Sequence, residues 1–174
     1  MIKRISLVIG ALATVSLVAC QSIEHGNGQK ASASLDSRSG SNAKGTVNFV
    51  WQGHDVLVSG NFSGLKPNAE QGFHVHEKGD CTAPDATSAG GHFNPDIKSH
   101  GMPGSGSNHA GDMPNIKSDA NGNASYSAKL SGFAVNNGPN GILGRSVVVH
   151  RDPDDYKSQP AGNSGPRIAC GLIK

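Results

Sequence analysis

Alternating hydrophobic and polar positions recur along much of the chain. Val47, Phe49 and Trp51 alternate with polar or smaller residues and are followed by the turn sequence QGHD (52–55). The same period of two returns in two further segments, at Val56, Val58 and Phe62 and at Ala124, Tyr126, Ala128 and Leu130. Because this period places alternate side chains on opposite faces of an extended chain, each segment is predicted to be a strand with one buried face.

Two denser apolar runs, RSVVVH (145–150) and RIACGLI (167–173), are typical of strands that are buried on both faces. No segment shows the spacing of a sustained amphipathic helix. The 24 glycines, the nine prolines and a charged fraction of only 16% also favour strands and turns. We therefore expect an all-β domain, either an antiparallel sandwich or a barrel.

Two segments, 78–112 and 151–166, do not fit this pattern. Both are rich in Gly, Pro, Ser, Asn and Asp and have almost no apolar periodicity. Long loops without a core of their own are uncommon in compact domains and are usually functional or disordered.

The N-terminus has the pattern of an export signal. Lys3 and Arg4 precede the apolar run Ile5–Val18, which is too short to be a comfortable membrane span. The following sequence LVAC (17–20) resembles the lipobox of bacterial lipoproteins, which implies that Cys20 is lipidated and begins the mature chain. The alternative is an ordinary cleaved signal with a chance cysteine.

The chain is accordingly divided into a lipoprotein signal peptide (1–19), a lipidated cysteine with a polar tether (20–29) and one domain (30–174). Loss of residues 1–19 removes Lys3 and Arg4 from the 15 basic residues and none of the 13 acidic ones, so the mature chain is formally neutral. This balance gives no indication of a nucleic-acid partner.

The chain has three cysteines, an odd number for an exported protein. If Cys20 carries the lipid, Cys81 and Cys170 remain as one pair, and a disulfide persists in an oxidising compartment.

Six of the eight histidines fall in or beside the two long loops, with Asp112 close to one of them; the six are His74, His76, His92, His100, His109 and His150. A lone loop histidine is usually an ordinary polar residue, but this group predicts a metal site that organises the loop. Imidazoles with one carboxylate suit zinc, copper, nickel or iron better than calcium. Seven groups suffice for two ions if one histidine is shared. His25 and His54 are expected to be solvated and inert.

Several motifs together resemble the copper–zinc superoxide dismutases of the bacterial exported type: GFHVHEKGDC (72–81), SAGGHFNP (88–95), SHGMP (99–103), NHAGDMPN (108–115), GRSVVVH (144–150) and GNSGPRIACG (162–171). The resemblance extends from about residue 30 to 173. It implies a Greek-key antiparallel β-barrel of about eight strands with two long functional loops. It also implies dismutation of superoxide to dioxygen and hydrogen peroxide, by a redox-cycling copper with a structural zinc.

The resemblance implies a role for each site residue. The copper ligands would be His74, His76, His92 and His150, and the zinc ligands would be His92, His100, His109 and Asp112. His92 would bridge both ions and supply a proton, while Val75 between the first two ligands would face the barrel core. Arg167 would bind the superoxide anion beside copper. Asp154 would link a copper histidine to a zinc histidine, although Asp152 and Asp155 are close enough to leave that choice open.

The N-terminal signal, its lipobox and Gln21 after it, which offers no inner-membrane retention signal, also predict a place in the cell. We expect an exported protein that is anchored by lipid in the outer membrane, faces the periplasm or the exterior and protects the envelope from superoxide. A homodimer is left open, because the segment between His76 and His92, which often contributes to the dimer contact in relatives, is short here. Two further departures are Pro166 directly before Arg167 and a loop 151–166 whose only lysine is Lys157.

Two other functions remain to be weighed against the enzyme. A copper buffer or an inactive relative of the dismutases would typically lack a copper ligand or the arginine, and this sequence has all of them. A structural or adhesive β-sandwich would leave the histidine spacing unexplained.

Overall fold

A computed structural model describes residues 28–174; the predicted signal peptide, Cys20 and His25 lie outside the described residues. Its eight strands are β1 (Lys30–Ser37), β2 (Lys44–Trp51), β3 (Val56–Ser63), β4 (Glu70–His76), β5 (Asp112–Lys117), β6 (Ala124–Leu130), β7 (Ser146–His150) and β8 (Arg167–Leu172). One 3₁₀ turn, Thr87–Ala89, is the only helical element in this part of the chain. Residues 28–174 contain no helix that is long and apolar enough to cross a membrane.

The eight strands form one antiparallel sheet in the order β5-β4-β7-β8-β1-β2-β3-β6. The connections from β3 to β4 and from β6 to β7 cross between strands that are not neighbours, as in a Greek key. The two edge strands, β5 and β6, contact each other, so that the sheet curls into a nearly closed barrel. The prediction of an all-β barrel is confirmed.

One face of the sheet lines the barrel core. In β1, Ala31, Ala33 and Leu35 are buried while the residues between them are exposed. The ring of Phe73 packs edge-on between those of Phe62 and Tyr126, at centroid distances of 5.4 and 5.1 Å. Such aromatic pairs stabilise a core beyond the area they bury. The strands predicted from alternation, β2, β3 and β6, all contribute to this core.

Strands β4 and β7 differ because both of their faces are covered. All five residues of β7 are buried, as are those of β4 from Gln71 to His76. Val75 faces the barrel core, as predicted. The other face lies under two long loops, 77–111 and 151–166, which we call the first and second long loops. They contain every described residue between β4 and β5 and between β7 and β8.

A disulfide ties the first long loop to the barrel. Cys81 and Cys170 are bonded, with their Cα atoms 5.8 Å apart and a sequence separation of 89 residues. Constraining a loop of this size in the unfolded chain contributes about 4–5 kcal/mol to stability in the chain-entropy model. The pairing predicted from the cysteine count is confirmed.

Candidate metal centre

Four buried histidines meet on the outer face of β4 and β7, and we call them the strand cluster: His74, His76, His92 and His150. Each offers a ring nitrogen, and these four atoms lie within 4.8 Å of one another. His74 and His76 share a face because they are two residues apart on β4, and β7 lies directly beside that strand. His92 reaches them from the first long loop through an isolated bridge to His76.

Hydrogen bonds turn the strand-cluster rings so that one nitrogen of each faces the others. His76 Nδ1 donates to the carbonyl of Gly90 at 3.0 Å, and His150 Nδ1 donates to that of Gly165 at 3.1 Å. Their Nε2 atoms then lie 3.3 Å apart, each with a lone pair. Two lone pairs at this distance repel each other unless a cation lies between them. His74 Nδ1 is buried and has no hydrogen-bond partner among the described residues, as a metal-facing nitrogen would.

A second group, which we call the loop cluster, consists of His92, His100, His109 and Asp112. Asp112 Oδ1 lies 2.8, 3.0 and 3.4 Å from the Nδ1 atoms of His92, His100 and His109 respectively. Its other oxygen accepts the backbone N–H groups of His109 and Gly101 at 2.9 and 3.1 Å. Asp112 therefore orders the backbone of the first long loop and also offers an anionic ligand.

His92 belongs to both clusters. Its Nδ1 points to Asp112, and its Nε2 is buried with no hydrogen-bond partner in the described chain. The two nitrogens lie on opposite edges of one ring, so His92 can bind two ions at once. This is the geometry that a bridging histidine requires.

Asp154 links the two clusters through hydrogen bonds to one histidine of each. Its Oδ2 accepts from His74 Nε2 at 2.8 Å and its Oδ1 accepts from His100 Nε2 at 2.9 Å. Asp152 and Asp155 bond instead to Arg151 and Ser158, so the linking carboxylate is Asp154. Such partners fix the tautomer and orientation of ligating rings.

Gly162 makes room for this link between the clusters. Its φ is 63°, and a side chain at this position would collide with the Asp154 carboxylate. Both its positive φ and the lack of space therefore require glycine.

The clusters differ in charge. Burial lowers the pKa of His74 and His76 well below the ordinary value and lowers the pKa of His150 to about 3, so these rings are neutral and can bind a metal. Burial also opposes the charge of His100, but hydrogen bonds to Asp112 and Asp154 outweigh it and raise the pKa of His100 to about 9. Although burial opposes ionisation of Asp112, its histidine partners hold its pKa far below the usual range.

These donor sets fit two first-row metal ions. Four imidazoles suit copper, and three imidazoles with one carboxylate suit zinc. No other group of His, Cys, Asp or Glu in residues 28–174 has the spacing of a metal site. His54 is exposed in the β2–β3 hairpin and belongs to neither cluster.

A channel leads from solvent to the strand cluster. It is lined by His76, His92, His150 and Arg167, together with residues of both long loops. The Arg167 guanidinium donates to the carbonyls of Ala86 and Gly90, at 2.6 Å each. Burial lowers the pKa of Arg167, but a guanidinium remains charged at any physiological pH. The channel thus presents one fixed cation beside the imidazoles, and the exposed Glu77 is the one carboxylate in its lining.

Three residues that support the site were not identified from the sequence. Gln159 pairs with the backbone of His100: its Oε1 accepts from the N–H and its Nε2 donates to the carbonyl, both at 2.9 Å. Arg38 and Ser39, between β1 and β2, bond to the first long loop. Each contact joins residues more than 40 positions apart, and such contacts produce no local pattern in the sequence.

The fold and the site together define a Greek-key β-barrel in which two adjacent groups of metal-ligating side chains share His92. A family model described as copper/zinc superoxide dismutase (SODC) matches residues 43–173. The chain belongs to the copper/zinc superoxide dismutase family. It is an enzyme of that class, and its cofactors are copper and zinc.

Individual relatives agree with the family model. Over 134 residues, 75% of this chain and 78% of the relative, the chain is 45% identical to superoxide dismutase (Cu-Zn) 2 of Aquifex aeolicus (strain VF5). It is 47% identical to a superoxide dismutase (Cu-Zn) of Paramecium bursaria Chlorella virus 1, over 75% of this chain and 72% of the relative.

Solved structures extend the likeness to the fold. The crystal structure of the clock protein EA4 aligns with a TM-score of 0.76 and 38% identity, over 85% of this chain and 95% of that one. A double mutant of a SOD-like protein from Bacillus subtilis aligns with a TM-score of 0.73 and 35% identity, over 80% of this chain and 94% of that one.

Proposed function

We propose that the protein dismutates superoxide in the cell envelope, with copper in the strand cluster and zinc in the loop cluster. The two nitrogens of His92 carry this proposal. One is within hydrogen-bond distance of the loop-cluster carboxylate, and the other is buried and unpartnered beside three neutral imidazoles. A metal store has no need for such a shared ring, whereas a redox reaction that also consumes protons is served by a ligand that can carry one.

Copper supplies one-electron redox chemistry when it is bound, and zinc holds its ligands without changing redox state. The overall reaction converts two superoxide anions and two protons into dioxygen and hydrogen peroxide. In this reaction His92 Nε2 is the protein group placed to hold and deliver a proton at the inner end of the channel. In the metal-free chain the hydrogen bond from His92 Nδ1 to Asp112 fixes the ring so that Nε2 faces the other three imidazoles. With zinc bound, the ion would hold Nδ1 in place of this hydrogen bond.

Arg167 binds the substrate anion. Its guanidinium lines the channel, and two carbonyls fix its orientation. A fixed cation raises the local concentration of a small anion and orients it without giving up a proton. The chain's own contribution is therefore to attract and orient the anion at Arg167 and to supply a proton from His92.

Pulse radiolysis of the metallated protein tests this role. Arg167→Ala is expected to lower the second-order rate at least several-fold at unchanged copper and zinc content, and Arg167→Lys is expected to fall between, because it keeps the charge but loses the planar fork. The difference in rate between wild type and Arg167→Ala should shrink as the ionic strength rises. If the site only stores copper, all three proteins will be indistinguishable.

The location of this activity is also part of the proposal. The signal-like N-terminus and the Cys81–Cys170 disulfide support export to an oxidising compartment, and lipidation at Cys20 would anchor the protein in the outer membrane. Cells grown with a labelled fatty acid should give a labelled protein and an unlabelled Cys20→Ser variant. An unlabelled wild-type protein would rule out the anchor and leave the enzymatic proposal intact.

A further inference from the structure

Arg167 is held at two places by different parts of the chain. Its guanidinium donates to Ala86 and Gly90 in the first long loop. Its backbone carbonyl, at the start of β8, accepts from Ser39 Oγ at 2.8 Å. The direction of the guanidinium therefore depends on how the first long loop is placed relative to β8.

The disulfide alone does not set this placement. It fixes Cys81, but the two carbonyls that receive the guanidinium belong to Ala86 and Gly90, five and nine residues later. The Gly90 carbonyl is also held from β4 by His76 Nδ1, whereas Ala86 has no such contact with a metal ligand among the described residues. Bonds inside the loop, such as Ala86 N–H to Ala83 and Ser88 Oγ to Asp80, both at 2.9 Å, determine its shape. They do not determine where the loop sits on the barrel.

A turn between β1 and β2, residues 38–41, contacts the first long loop. The Nε of Arg38 donates to the carbonyl of Cys81 at 2.9 Å. The N–H of Ser39 donates to the carbonyl of Pro84 at 2.8 Å, two residues before Ala86, which is one of the two acceptors of the guanidinium. This turn therefore holds the loop on both sides of the segment 82–83.

The same turn also contacts β8. The N–H of Arg38 and the Oγ of Ser41 both donate to the carbonyl of Ile168, at 2.8 and 2.6 Å. Ser39 contacts the adjacent carbonyl of Arg167 and holds a φ of 52°, in the left-handed region that costs energy for a residue with a side chain. Three of the four residues of the turn thus bond to the first two residues of β8.

We propose that the turn 38–41 is a positioning element for Arg167, because it joins the backbone of that arginine to the loop that receives its guanidinium. This inference rests on the proposed function, in which Arg167 binds the anionic substrate. Arg38 acts through its hydrogen bonds more than through its charge, since its guanidinium is already bonded to the carbonyls of Cys81 and Ser37, at 2.9 and 2.8 Å.

Azide titration of the copper- and zinc-loaded protein, followed by its visible spectrum, tests the inference, because a small anion reports the alignment of Arg167 without turnover. Arg38→Gln is expected to raise the azide dissociation constant about three- to tenfold, the effect of one lost hydrogen bond. The rate of superoxide consumption should fall in parallel. Metal content and the disulfide, checked by thiol titration, should be unchanged.

Two variants separate position from charge. Lys44→Gln removes an exposed cation from the start of β2, at the same end of the barrel as the turn, and should leave the azide constant at the wild-type value. Arg38→Lys keeps the charge but lacks the Nε bond, so a positioning role predicts a measurable loss of affinity in this variant. The ratio of the azide dissociation constants of Arg38→Gln and wild type should also persist at 1 M salt, where the Debye length is about 3 Å. A ratio that vanishes there, or full rescue by lysine, would overturn the proposal.

Arg167→Ala distinguishes this inference from the function on which it rests. If Arg167→Ala does not weaken azide binding, the proposed role of Arg167 fails. If it does and Arg38→Gln does not, only the positioning role fails. Should Arg38→Gln lose its disulfide or metal, Ser39→Ala replaces it, because this variant removes only the hydroxyl bond to Arg167. An unchanged azide constant in Ser39→Ala would then overturn the proposal.

Discussion

The two clusters share His92 but are supported in different ways. In the strand cluster, His74, His76 and His150 lie on β4 and β7, which pair from Phe73–Val149 to His76–Ser146. A ladder of backbone hydrogen bonds therefore fixes their Cα positions whether or not a metal is bound. In the loop cluster, only Asp112 lies on a strand, while His100 and His109 lie in the first long loop.

The backbone at His100 and His109 is held largely by side chains instead. The N–H of His109 bonds to Asp112, and both backbone groups of His100 bond to Gln159. Such contacts open more readily than a strand ladder, because each can be lost separately. The comparison indicates that the strand cluster is preorganised, whereas the order of the loop cluster depends on its ion.

The two clusters should differ most in activity and metal content when one ligand is removed from each. His150→Ala should abolish dismutation while zinc binding survives, because the loop cluster keeps all four ligands. His109→Ala should lower zinc occupancy and loosen the first long loop more than it lowers copper affinity. Metal analysis, pulse radiolysis and hydrogen exchange of both variants give the comparison. Equal loss of both metals in both variants would contradict the two ligand sets.

The difference between the clusters also bears on what the sequence could predict. Strands with strong alternation, such as β2 and β6, were predicted from their own residues. Strand β1 was not, because its buried positions include Ala31 and Ala33, which give a weak hydrophobic signal. Strand β5 was not predicted either, because it contains Pro114 and pairs with β4 through a register shift.

Among the site residues, the histidines could be grouped from their motifs, and the structure brings together the two sets that the resemblance implied. Their assignment to copper and zinc stays a prediction. The choice among three nearby aspartates needed coordinates, because only the path of the second long loop brings Asp154 to both His74 and His100. Gln159 and Arg38 were not predictable, since their partners are distant in sequence.

The second-largest expected effect is a loss of metal affinity when the carboxylate that links the two clusters is removed. Asp154→Ala should lower the affinity for both metals about 10- to 100-fold, the usual cost of removing the partner of a ligating histidine. Asp155→Ala is the matched control, because that carboxylate bonds only within its own loop, to Ser158, Lys157 and Asn163. Competition with chelators measures both affinities. An equal loss in the control, or a loss of one metal alone, would contradict the linking role.

In the metal-free protein, His150 of the strand cluster and His100 of the loop cluster should contribute to stability with opposite pH dependence. The pKa of His150 falls from 6.5 to about 3 on folding because the ring is buried. Below pH 6.5 the unfolded chain therefore binds a proton that the folded chain does not, and stability falls as the pH drops from 6.5 towards 3. The pKa of His100 instead rises to about 9, so its contribution is complete below 6.5 and is lost as the pH rises through 9.

Urea denaturation of the metal-free protein across this pH range tests both slopes. His150→Asn should reduce the slope of the unfolding free energy against pH on the acid side and leave the alkaline slope unchanged. His100→Asn should do the reverse. If both variants flatten the same slope, the assignment of opposite charge states to His150 and His100 is wrong.

The smallest effect should come from Gln159, which supports the loop cluster through backbone contacts alone. Gln159→Ala removes two hydrogen bonds to His100, and since each is worth about 0.5–1.5 kcal/mol, zinc should dissociate several-fold faster. The Asn163 amide lies in the same loop but bonds to Asp155 and Ser158, so Asn163→Ala is the control. Hydrogen exchange at the His100 amide should accelerate in Gln159→Ala only.

Copper affinity should not change in either variant, because the strand ladder that holds His74, His76 and His150 is untouched. A matching loss of copper would mean that the strand cluster is not preorganised and would remove the distinction between the two scaffolds.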